Sequence, residues 1–356
     1  MAKQGLENTA ASQLLDWYDI HARVLPWRAR PGETADPYRV WLSEIMLQQT
    51  QVSTVLRYYD RFLNRFPDVR VLAAASLDDV LAAWSGLGYY RRARLLHACA
   101  GRVVAEHGGV FPASAQALAA LPGIGRSTAA AIAAFCFGER AAILDGNVKR
   151  VLTRVLGFGG DLAMAANERE LWSLAESLLP SRDVATYTQG LMDLGASLCT
   201  LRAPGCSLCP LRAGCVARAE GRQQAYPVKT SRLRRTQRRS AWLWLRDADR
   251  HWLTRRAPTG VWAGLWSLPE AQAVDDLELM ARQWPGEGRW LPPIRHALTH
   301  FDWTLMPLQW RLPAALGASE RHRVESELGD GRWFAGAELA AIGLPAPVRV
   351  LLAGAG

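Results

Sequence analysis

Two patterns of hydrophobic and polar residues divide this chain of 356 residues. From residue 10 to residue 225, apolar residues recur at intervals of three and four, which is the spacing of one face of an α-helix. The pattern predicts helices, separated by short Gly/Pro breaks, over 12–20, 38–64, 78–84, 91–107, 115–121, 126–137, 147–156, 166–179 and 184–198. The first part of the chain, 1–225, is therefore predicted to be an all-α domain.

The pattern changes after this helical part. Residues 226–239 are polar and basic with few apolar positions, which predicts an interdomain linker. Residues 240–245 and 303–310 are rich in aromatic and aliphatic side chains and are bounded by turn-forming residues, so both are predicted strands. Helical periodicity returns over 273–283, 336–342 and 346–353. A second, α+β domain is therefore predicted over 240–356.

Composition narrows the class of protein without choosing a function. Hydrophobic residues make up 49% of the chain, which is enough for two sizeable cores. No apolar run reaches the roughly 18 residues of a membrane span, and the first residues lack the apolar core of a secretory signal. We expect a cytoplasmic protein that does not bind membranes. The net charge of +9 favours a polyanionic partner only weakly, since many basic proteins bind none.

Four of the six cysteines form one motif, and these are Cys199, Cys206, Cys209 and Cys215. Their spacing, C-x6-C-x2-C-x5-C, lies in a single loop over 199–215. Four thiolates are the usual ligand set of a [4Fe–4S] cluster. A zinc ribbon usually has two C-x2-C pairs and this loop has one, so zinc is the main alternative. A disulfide is disfavoured in a cytoplasmic chain.

Residues 115–137 predict two short helices joined by a tight turn. The first helix ends at Leu121, and the second begins near Arg126. Gly123 forms the turn, and Gly125 lets the backbone approach another chain closely. Amides at the start of the second helix can hold a phosphate without reading the base sequence. We predict a helix-hairpin-helix that contacts the DNA backbone; the alternative is an ordinary corner between two helices.

These motifs together resemble a known superfamily. A helix-hairpin-helix followed by L-D-G-N-V-K-R-V and by the cysteine motif resembles the endonuclease III superfamily of DNA glycosylases. Within it, W-L-S-E-I-M-L-Q-Q-T-Q-V (41–52) and G-L-G-Y-Y-R-R-A-R (86–94) resemble the MutY family of adenine DNA glycosylases. The segment R-R-A-P-T-G-V-W-A-G-L-W-S-L-P (255–269) resembles the C-terminal domain of that family, a Nudix-like domain.

The resemblance implies a function, a cofactor and a partner. The expected enzyme removes adenine mispaired with 8-oxoguanine or guanine in double-stranded DNA, as a step of base excision repair. It carries a [4Fe–4S] cluster on the four cysteines. It acts as a bacterial cytoplasmic monomer that associates with the nucleoid while acting. The acidic metal-binding box of Nudix hydrolases is absent from the C-terminal domain, so we expect no phosphohydrolase activity there.

Glu44 is predicted to be the catalytic acid. It lies on an apolar helix face beside Val40, Trp41 and Leu47, where burial would raise its pKa and keep it protonated near neutral pH. A protonated carboxyl can donate to a ring nitrogen and turn adenine into a neutral leaving group. A glutamate that simply turns out to solvent is the alternative from the residues alone, and the resemblance favours the acid.

Asp145 is predicted to be the second catalytic carboxylate. It precedes a helix, where amide hydrogen bonds and the helix dipole would lower its pKa and keep it ionised. The resemblance implies that it stabilises, or bonds transiently to, the oxocarbenium ion of the sugar, and that Asn147 hydrogen-bonds the reacting centre. A plain helix N-cap is the alternative reading of Asp145.

Ser127 indicates the subclass of enzyme. In endonuclease III and other bifunctional relatives the matching position is a lysine, whose amine forms a Schiff base with the sugar and leads to strand cleavage. The serine offers no such amine. We therefore predict a monofunctional glycosylase that leaves an abasic site.

The remaining predicted site residues follow from the resemblance. They are assigned to the adenine pocket (Leu25, Trp27, Arg28, Ser127 and Gln189) and to the opposite base or the wedge that fills the gap left by a flipped nucleotide (Gln48, Gln49, Thr50, Tyr89, Thr299 and His300). The two glycines before Tyr89 favour an exposed loop tip.

Two other functions remain as alternatives. One is an endonuclease III-like glycosylase and lyase for oxidised pyrimidines, against which Ser127 and the extra C-terminal domain argue. The other is a non-catalytic DNA-binding iron–sulfur protein, against which the pair Glu44 and Asp145 argues.

Overall fold

A computed structural model of the chain describes residues 2–30, 32–230 and 234–354, with side chains from residue 10 onward. The helices found among these residues are α1 (Ala2–His21), α2 (Pro37–Leu47), α3 (Val52–Arg65), α4 (Val69–Ala74), α5 (Leu77–Ala83), α6 (Arg91–His107), α7 (Ala115–Ala119), α8 (Arg126–Phe137), α9 (Gly146–Leu156), α10 (Ala165–Ser177), α11 (Val184–Ser197), α12 (Val216–Ala219), α13 (Val274–Ala281), α14 (Ala318–Leu328) and α15 (Ala346–Ala353). Short 3₁₀ helices cover Gln223–Ala225 and Gly336–Ala341.

Local sequence signals set several of these helix ends. Asp36 caps α2 by accepting hydrogen bonds from the amides of Tyr38 and Arg39, and Pro37 occupies the first helical position. Helices α8 and α9 both end at a glycine in the left-handed conformation, Gly138 and Gly157. The predicted α-helical character of the first part of the chain is confirmed.

The helix predicted over 38–64 is two helices in the structure, so that prediction is wrong in its continuity. The break lies between Leu47 and Val52, where Gln49 takes a left-handed conformation with φ of 56°. The sequence has no glycine or proline there, so nothing local signals the break. Helices α4, α12 and α14 were also not predicted from periodicity.

Eight strands among the described residues form one mixed sheet. They are β1 (Thr236–Asp247), β2 (Arg250–Arg255), β3 (Trp266–Ser267), β4 (Glu270–Ala271), β5 (Glu287–Trp290), β6 (Ile294–Ala297), β7 (Phe301–Arg311) and β8 (Gly331–Ala335). The central order is β3-β2-β1-β7-β5, with β4 on β1, β6 on β7 and β8 on β2. Strands β1 and β7 run parallel from the pair Thr236/Phe301 to the pair Arg246/Arg311, and the other pairings are antiparallel.

Strand β1 explains the apolar run in this part of the sequence. Six consecutive residues from Ser240 to Leu245 are buried, because layers of side chains cover both faces of the sheet. The strand starts at Thr236, so residues 236–239 are strand although the predicted linker, 226–239, includes them. Residues 231–233 of that linker lie outside the described residues.

The described residues form two compact units. The first comprises residues 2–59, Asp68–Arg70 and 98–230, and the second comprises Asp60–Pro67, Val71–His97 and 234–354. The core of the first unit is built from apolar faces of α1, α8, α9 and α11, and the core of the second lies on the sheet. In the part of the chain that the structure describes, no helix is both long and apolar enough to cross a membrane.

Candidate active site

A pocket of about 580 Å³ opens in the first unit, between α1, α2, α8, α11 and the segment after α1. Five predicted residues line it: Leu25, Trp27, Arg28, Glu44 and Gln189. Leu25 and Trp27 are buried and form apolar walls, with the indole edge-on to Tyr59. A volume of this order is typical of small-molecule sites and accommodates a purine.

Glu44 brings a carboxyl group to the wall of this pocket. Burial is the main cause that raises its pKa to about 7, with the negative charge of Asp145 adding to the rise and the positive charge of Arg28 opposing it. The expected raised pKa of Glu44 is therefore found, and its main cause is the expected one. A group with this pKa is protonated in a large fraction of molecules at neutral pH.

Asp145 caps α9, as the sequence predicts. Its Oδ1 accepts a hydrogen bond from the amide of Val148 at 2.7 Å. Burial nevertheless raises its pKa above the usual value, against the amide hydrogen bonds from Val148 and Asn147. The predicted lowering of this pKa is therefore wrong in direction, because desolvation outweighs the amide hydrogen bonds.

Asn147 is held in place by its neighbours. Arg150 Nη2 donates to Asn147 Oδ1 at 2.8 Å, and the same guanidinium donates to the carbonyls of Gly195 and Cys199. Gly195 lies so close that a Cβ there would be 2.7 Å from Asn147 Cβ. The start of α9 is thereby fixed against the end of α11.

Sequence reasoning missed the buried aspartate that organises one side of the pocket. Asp193 is fully buried on α11 and accepts hydrogen bonds from Arg28 at 2.7 and 2.8 Å and from Arg23 at 2.5 and 2.8 Å. Arg28 also donates a hydrogen bond to the hydroxyl of Tyr18 at 3.4 Å. That hydroxyl in turn donates to Gln189 Oε1 at 2.5 Å. The sequence signal for this buried aspartate was a single acidic residue in a helix, α11, that is otherwise uncharged.

Replacing Asp193 by asparagine is expected to destabilise the protein. Burial alone would raise the pKa of Asp193, but the hydrogen bonds from Arg28 and Arg23 outweigh it and hold the pKa below its usual value. The stabilisation from a lowered pKa is full above the unfolded pKa and is lost as pH falls through the folded one. Asp193→Asn should therefore lower the free energy of unfolding by about 3 kcal/mol at neutral pH. Urea unfolding measures it.

A matched control for this prediction is Asp302→Asn, because Asp302 pairs with Arg235 where both side chains are exposed. We expect little change for it. Equal losses of stability in the two variants would contradict the role given to burial.

The predicted hairpin is present between α7 and α8. Gly123 has a φ of +77°, and Gly125 caps α8 with open space where a Cβ would stand. Arg126 is exposed, forms an ion pair with Glu176 and lies 3.9 Å from the centre of the Trp172 ring. The turn therefore places Gly125 and Arg126 at the surface, with Arg126 already paired.

Ser127 lies on α8 with its side chain toward the backbone. Leu144 N donates to Ser127 Oγ at 3.0 Å, one residue before Asp145. Ser127 does not belong to the described lining of the pocket, to which the sequence assigned it. The hydroxyl thus supports the segment that leads into α9.

Residues 48–50, predicted to meet the opposite base, form the break between α2 and α3. Gln49 is exposed, whereas Gln48 and Thr50 are half-buried. Thr50 Oγ1 donates to the carbonyl of Gln48 at 3.4 Å.

In the second unit the other predicted wedge and opposite-base residues lie together. Tyr89 is 46% exposed at the end of the α5–α6 connection, which agrees with the expected loop tip. Thr299 and His300 are exposed in the tight turn between β6 and β7, where Leu298 N donates to Phe301 O at 2.9 Å. Tyr89 Oη lies 3.5 Å from Thr299 Oγ1.

The four cysteines of the motif line one small cavity beside α9 and α11. All four carry free thiols, so none forms a disulfide in the structure. Burial, opposed by an amide hydrogen bond and reinforced by the other three sulfurs, raises the pKa of Cys209 to about 11. Among the described residues, no group of three or more His, Cys, Asp or Glu side chains is arranged to hold a metal ion.

A buried arginine lies against this cavity. Arg154 is 1% exposed and donates to the carbonyls of Thr200, Leu201 and Gln223 at 2.7 to 3.1 Å. Its Nη1 also lies 3.4 Å from the sulfur of Cys199. A guanidinium buried among neutral acceptors is stabilised by a nearby negative charge.

Comparison with known proteins agrees with this architecture. Residues 42–177 match the HhH-GPD superfamily of base excision DNA repair proteins, and residues 241–354 match the NUDIX domain. The adenine DNA glycosylase of Buchnera aphidicola subsp. Acyrthosiphon pisum (strain APS) is 35% identical over 351 residues, 96% of each chain. The chain belongs to the adenine DNA glycosylase family. The predicted family, the two-part fold and the assignment to DNA repair enzymes are confirmed, and DNA is the partner of this family member.

Other relatives extend the comparison. The human adenine DNA glycosylase is 45% identical over 216 residues, which cover 59% of this chain and 40% of the human protein. A solved structure of a thermostable thymine-DNA glycosylase aligns with a TM-score of 0.56 and 29% identity over 62% of this chain and all of that chain.

Proposed function

We propose that this family member hydrolyses the bond between adenine and its deoxyribose when the adenine is mispaired with 8-oxoguanine or guanine. The observation that carries the proposal is the position of Glu44, with a pKa of about 7, on the wall of a pocket large enough for a purine. A proton donor of this acidity is what the departure of an uncharged adenine requires at neutral pH.

The chemistry begins with the proton of Glu44. The carboxyl donates it to a ring nitrogen of the flipped adenine, so the electron pair of the breaking C–N bond leaves with a neutral base. The sugar is left as an oxocarbenium ion. Asp145, as the carboxylate, stabilises that positive charge from the helix N-terminus. A water molecule then adds to the sugar carbon, and its proton returns to a carboxylate.

The two carboxyls are suited to different charge states. The charge of Asp145 is one cause of the raised pKa of Glu44, which is consistent with Asp145 ionising first. Such a division, with one carboxyl neutral and the other charged, is the usual arrangement in the cleavage of glycosidic bonds. Asn147, held by Arg150, orients the same end of α9.

The pocket supports adenine recognition. Trp27 and Leu25 provide apolar faces for the flat ring, and Arg28 and Gln189 provide polar groups at its edge. The hydrogen bonds from Arg28 to Asp193, and from Tyr18 to Gln189, fix both polar side chains before the base enters. Such preorganisation lowers the cost of ordering them on binding.

Selection of the base opposite adenine is assigned to two separate surfaces. Gln48, Gln49 and Thr50 form one, in the first unit, and Tyr89 with Thr299 and His300 form the other, in the second unit. Hydroxyl and imidazole groups can hydrogen-bond a purine edge, and the tyrosine ring can stack in the gap left by the flipped base. Gly123, Gly125 and Arg126 hold the DNA backbone near the hairpin.

The decisive experiment is a single-turnover assay on a duplex with one A:8-oxoguanine pair. We expect the adenine to be released and the strand to break only after alkali, because Ser127 offers no amine for a Schiff base. Borohydride should trap no protein–DNA adduct. Adenine left in place would refute the proposal, and a trapped adduct on a damaged-pyrimidine duplex would favour the lyase alternative.

We also propose that the four cysteines hold a [4Fe–4S] cluster. The proposal rests on the chemistry of the donors, since four cysteines, Cys199, Cys206, Cys209 and Cys215, line a common cavity and the buried guanidinium of Arg154 offers compensation for an anionic group. When bound, the cluster would cross-link the loop 199–215 to itself, in a cavity that residues of α9 and α11 also line. The adenine chemistry described above uses only the protein's own carboxyls.

The metal assignment predicts a coloured protein. Purified anaerobically, the chain should be brown and contain about four irons, with sulfide, per molecule. Removing the metal with a chelator and reductant should lower the melting temperature, because the metal-binding loop would lose its cross-link. Metal analysis and thermal melts measure both. Colourless protein with stoichiometric zinc would overturn the cluster in favour of zinc.

A further inference from the structure

The connection between α5 and α6, residues 85–90, holds Tyr89 in an unfavourable backbone conformation. This segment, the Tyr89 turn, contains three positive φ angles: 104° at Gly86, 74° at Gly88 and 49° at Tyr89. The two glycines adopt such angles readily, whereas a tyrosine does so only when its surroundings enforce it.

Contacts within the Tyr89 turn account for part of this backbone conformation. Trp84 Nε1 donates to the carbonyl of Gly88 at 3.1 Å, and Arg92 donates to the same carbonyl at 3.3 Å. Gly86 N donates to the hydroxyl of Tyr90 at 3.2 Å. The guanidinium of Arg92 also lies 5.4 Å from the centre of the Tyr89 ring.

The other contacts that hold the Tyr89 turn come from residues 343–349, in the same compact unit. The carbonyl of Leu344 accepts hydrogen bonds from Tyr90 Oη at 3.1 Å and from Ser85 Oγ at 3.4 Å. Arg349 donates to the carbonyls of Ser85 and Leu344, both at 3.4 Å. Residues 343–349 therefore bind both ends of the Tyr89 turn, and we name them the C-terminal brace.

The brace is fixed to the sheet and lies close to α5. Gly343 O accepts a hydrogen bond from Trp266 N of β3 at 3.0 Å. A Cβ at Gly343 would come within 2.9 Å of Leu81 Cβ and 3.0 Å of a Leu265 methyl group, so only glycine fits without displacing its neighbours. Leu344 is 1% exposed, and Tyr90 and Ser85 are 6% exposed. Because this contact is shielded from water, an unpaired polar group in it would lower the stability of the fold.

We infer that Tyr90 and Arg349 are positioning residues for Tyr89, through which the C-terminal brace sets the preference for the base opposite adenine. The inference rests on the proposed role of Tyr89 in contacting that base. Tyr90 Oη is the central atom, since it accepts from Gly86 inside the turn and donates to Leu344 in the brace. The same conformation holds Tyr89 Oη 3.5 Å from Thr299 Oγ1, so one movement of the turn would disturb both groups.

The test uses Tyr90→Phe and Arg349→Gln in the full-length protein. Single-turnover rates below saturation are measured on an A:8-oxoguanine duplex and an A:G duplex, and thermal melts report folding. We expect the rate on A:8-oxoguanine divided by the rate on A:G to fall about three- to tenfold in each variant. This is the size of effect expected from losing one or two hydrogen bonds. The rate on A:8-oxoguanine at saturating enzyme should stay within about twofold, because the adenine pocket is untouched.

Two comparisons separate positioning from general damage. Tyr226→Phe is the matched control, because Tyr226 is 7% exposed and its hydroxyl donates to Glu220 outside this unit; it should leave the ratio unchanged. In a Tyr89→Ala background, adding Tyr90→Phe should give no further loss of preference, since the two residues act in series.

The results of this test distinguish a failure of the positioning role from a failure of the proposed function. Equal loss on both duplexes, an unchanged ratio, or an additive effect in the Tyr89→Ala background would overturn the positioning role. A wild-type protein that releases adenine from neither duplex would instead overturn the proposed function, and it would do so before any variant is compared.

Discussion

Glu44→Gln is expected to abolish most adenine excision while making the folded protein more stable. Glutamine keeps the size and polarity of the side chain but cannot donate the proton that adenine needs on departure. Loss of a positioned general acid lowers rates by about 10²- to 10⁴-fold. The single-turnover rate on an A:8-oxoguanine duplex at saturating enzyme measures it. Glu106→Gln, an exposed residue paired with Arg102 on α6, is the control and should retain full activity.

Glu44→Gln should increase stability although it decreases activity. The reason is that the folded protein raises the pKa of Glu44 from 4.5 to about 7. Below the unfolded pKa both states carry the proton and there is no penalty. Above the folded pKa the full cost of an ionised, buried carboxyl is present, up to about 3 kcal/mol. Glu44→Gln should therefore raise the melting temperature at pH 8 and change it little at pH 4. A lower melting temperature at pH 8 would contradict a buried carboxyl with a raised pKa.

The same pKa sets the pH dependence of excision. The proton of Glu44 is needed, so the single-turnover rate of the wild type should fall as pH rises through about 7. This fall should be absent from the residual activity of Glu44→Gln. A wild-type rate that stays level between pH 6 and pH 9 would show that another group supplies the proton.

Asp145→Asn is the second change with a large expected effect. Asparagine is as good a helix N-cap as aspartate, so α9 should form normally. The negative charge that stabilises the oxocarbenium ion is lost, and excision should fall at least about a hundredfold. Glu44 should also titrate at lower pH in this variant, since the charge of Asp145 is one cause of its raised pKa. Single-turnover rates across pH measure both effects.

A structurally matched control exists for this substitution. Asp36 caps α2 by the same kind of hydrogen bond, at 2.9 Å from the amide of Tyr38, but it is exposed. Asp36→Asn should leave both the rate and its pH dependence unchanged. If the two asparagine variants lose activity equally, the loss would reflect capping and not the charge of Asp145.

Local sequence patterns predicted the elements well and their continuity less well. Apolar periodicity identified most helices, and the cysteine spacing identified a loop whose thiols line one cavity. The break at Gln49 was not predicted, because the segment contains no glycine or proline and a left-handed glutamine carries no local signal. Likewise, the raised pKa of Glu44 was predicted from its apolar neighbours and its catalytic role from the family resemblance, whereas the direction of the pKa shift of Asp145 depended on how deeply the folded chain buries it.

The sequence by itself determined the family, the order of helical and sheet segments and the identity of the chemical groups, since these depend on motifs and on residue spacing. Only the tertiary structure decided which distant groups act on one another. Asp193 contacts Arg23 and Arg28 across 170 and 165 residues of chain, and Leu344 contacts Tyr90 across 254. Such contacts follow from the packing of whole elements, and burial, which sets the pKa values of both carboxyls, follows from the same packing.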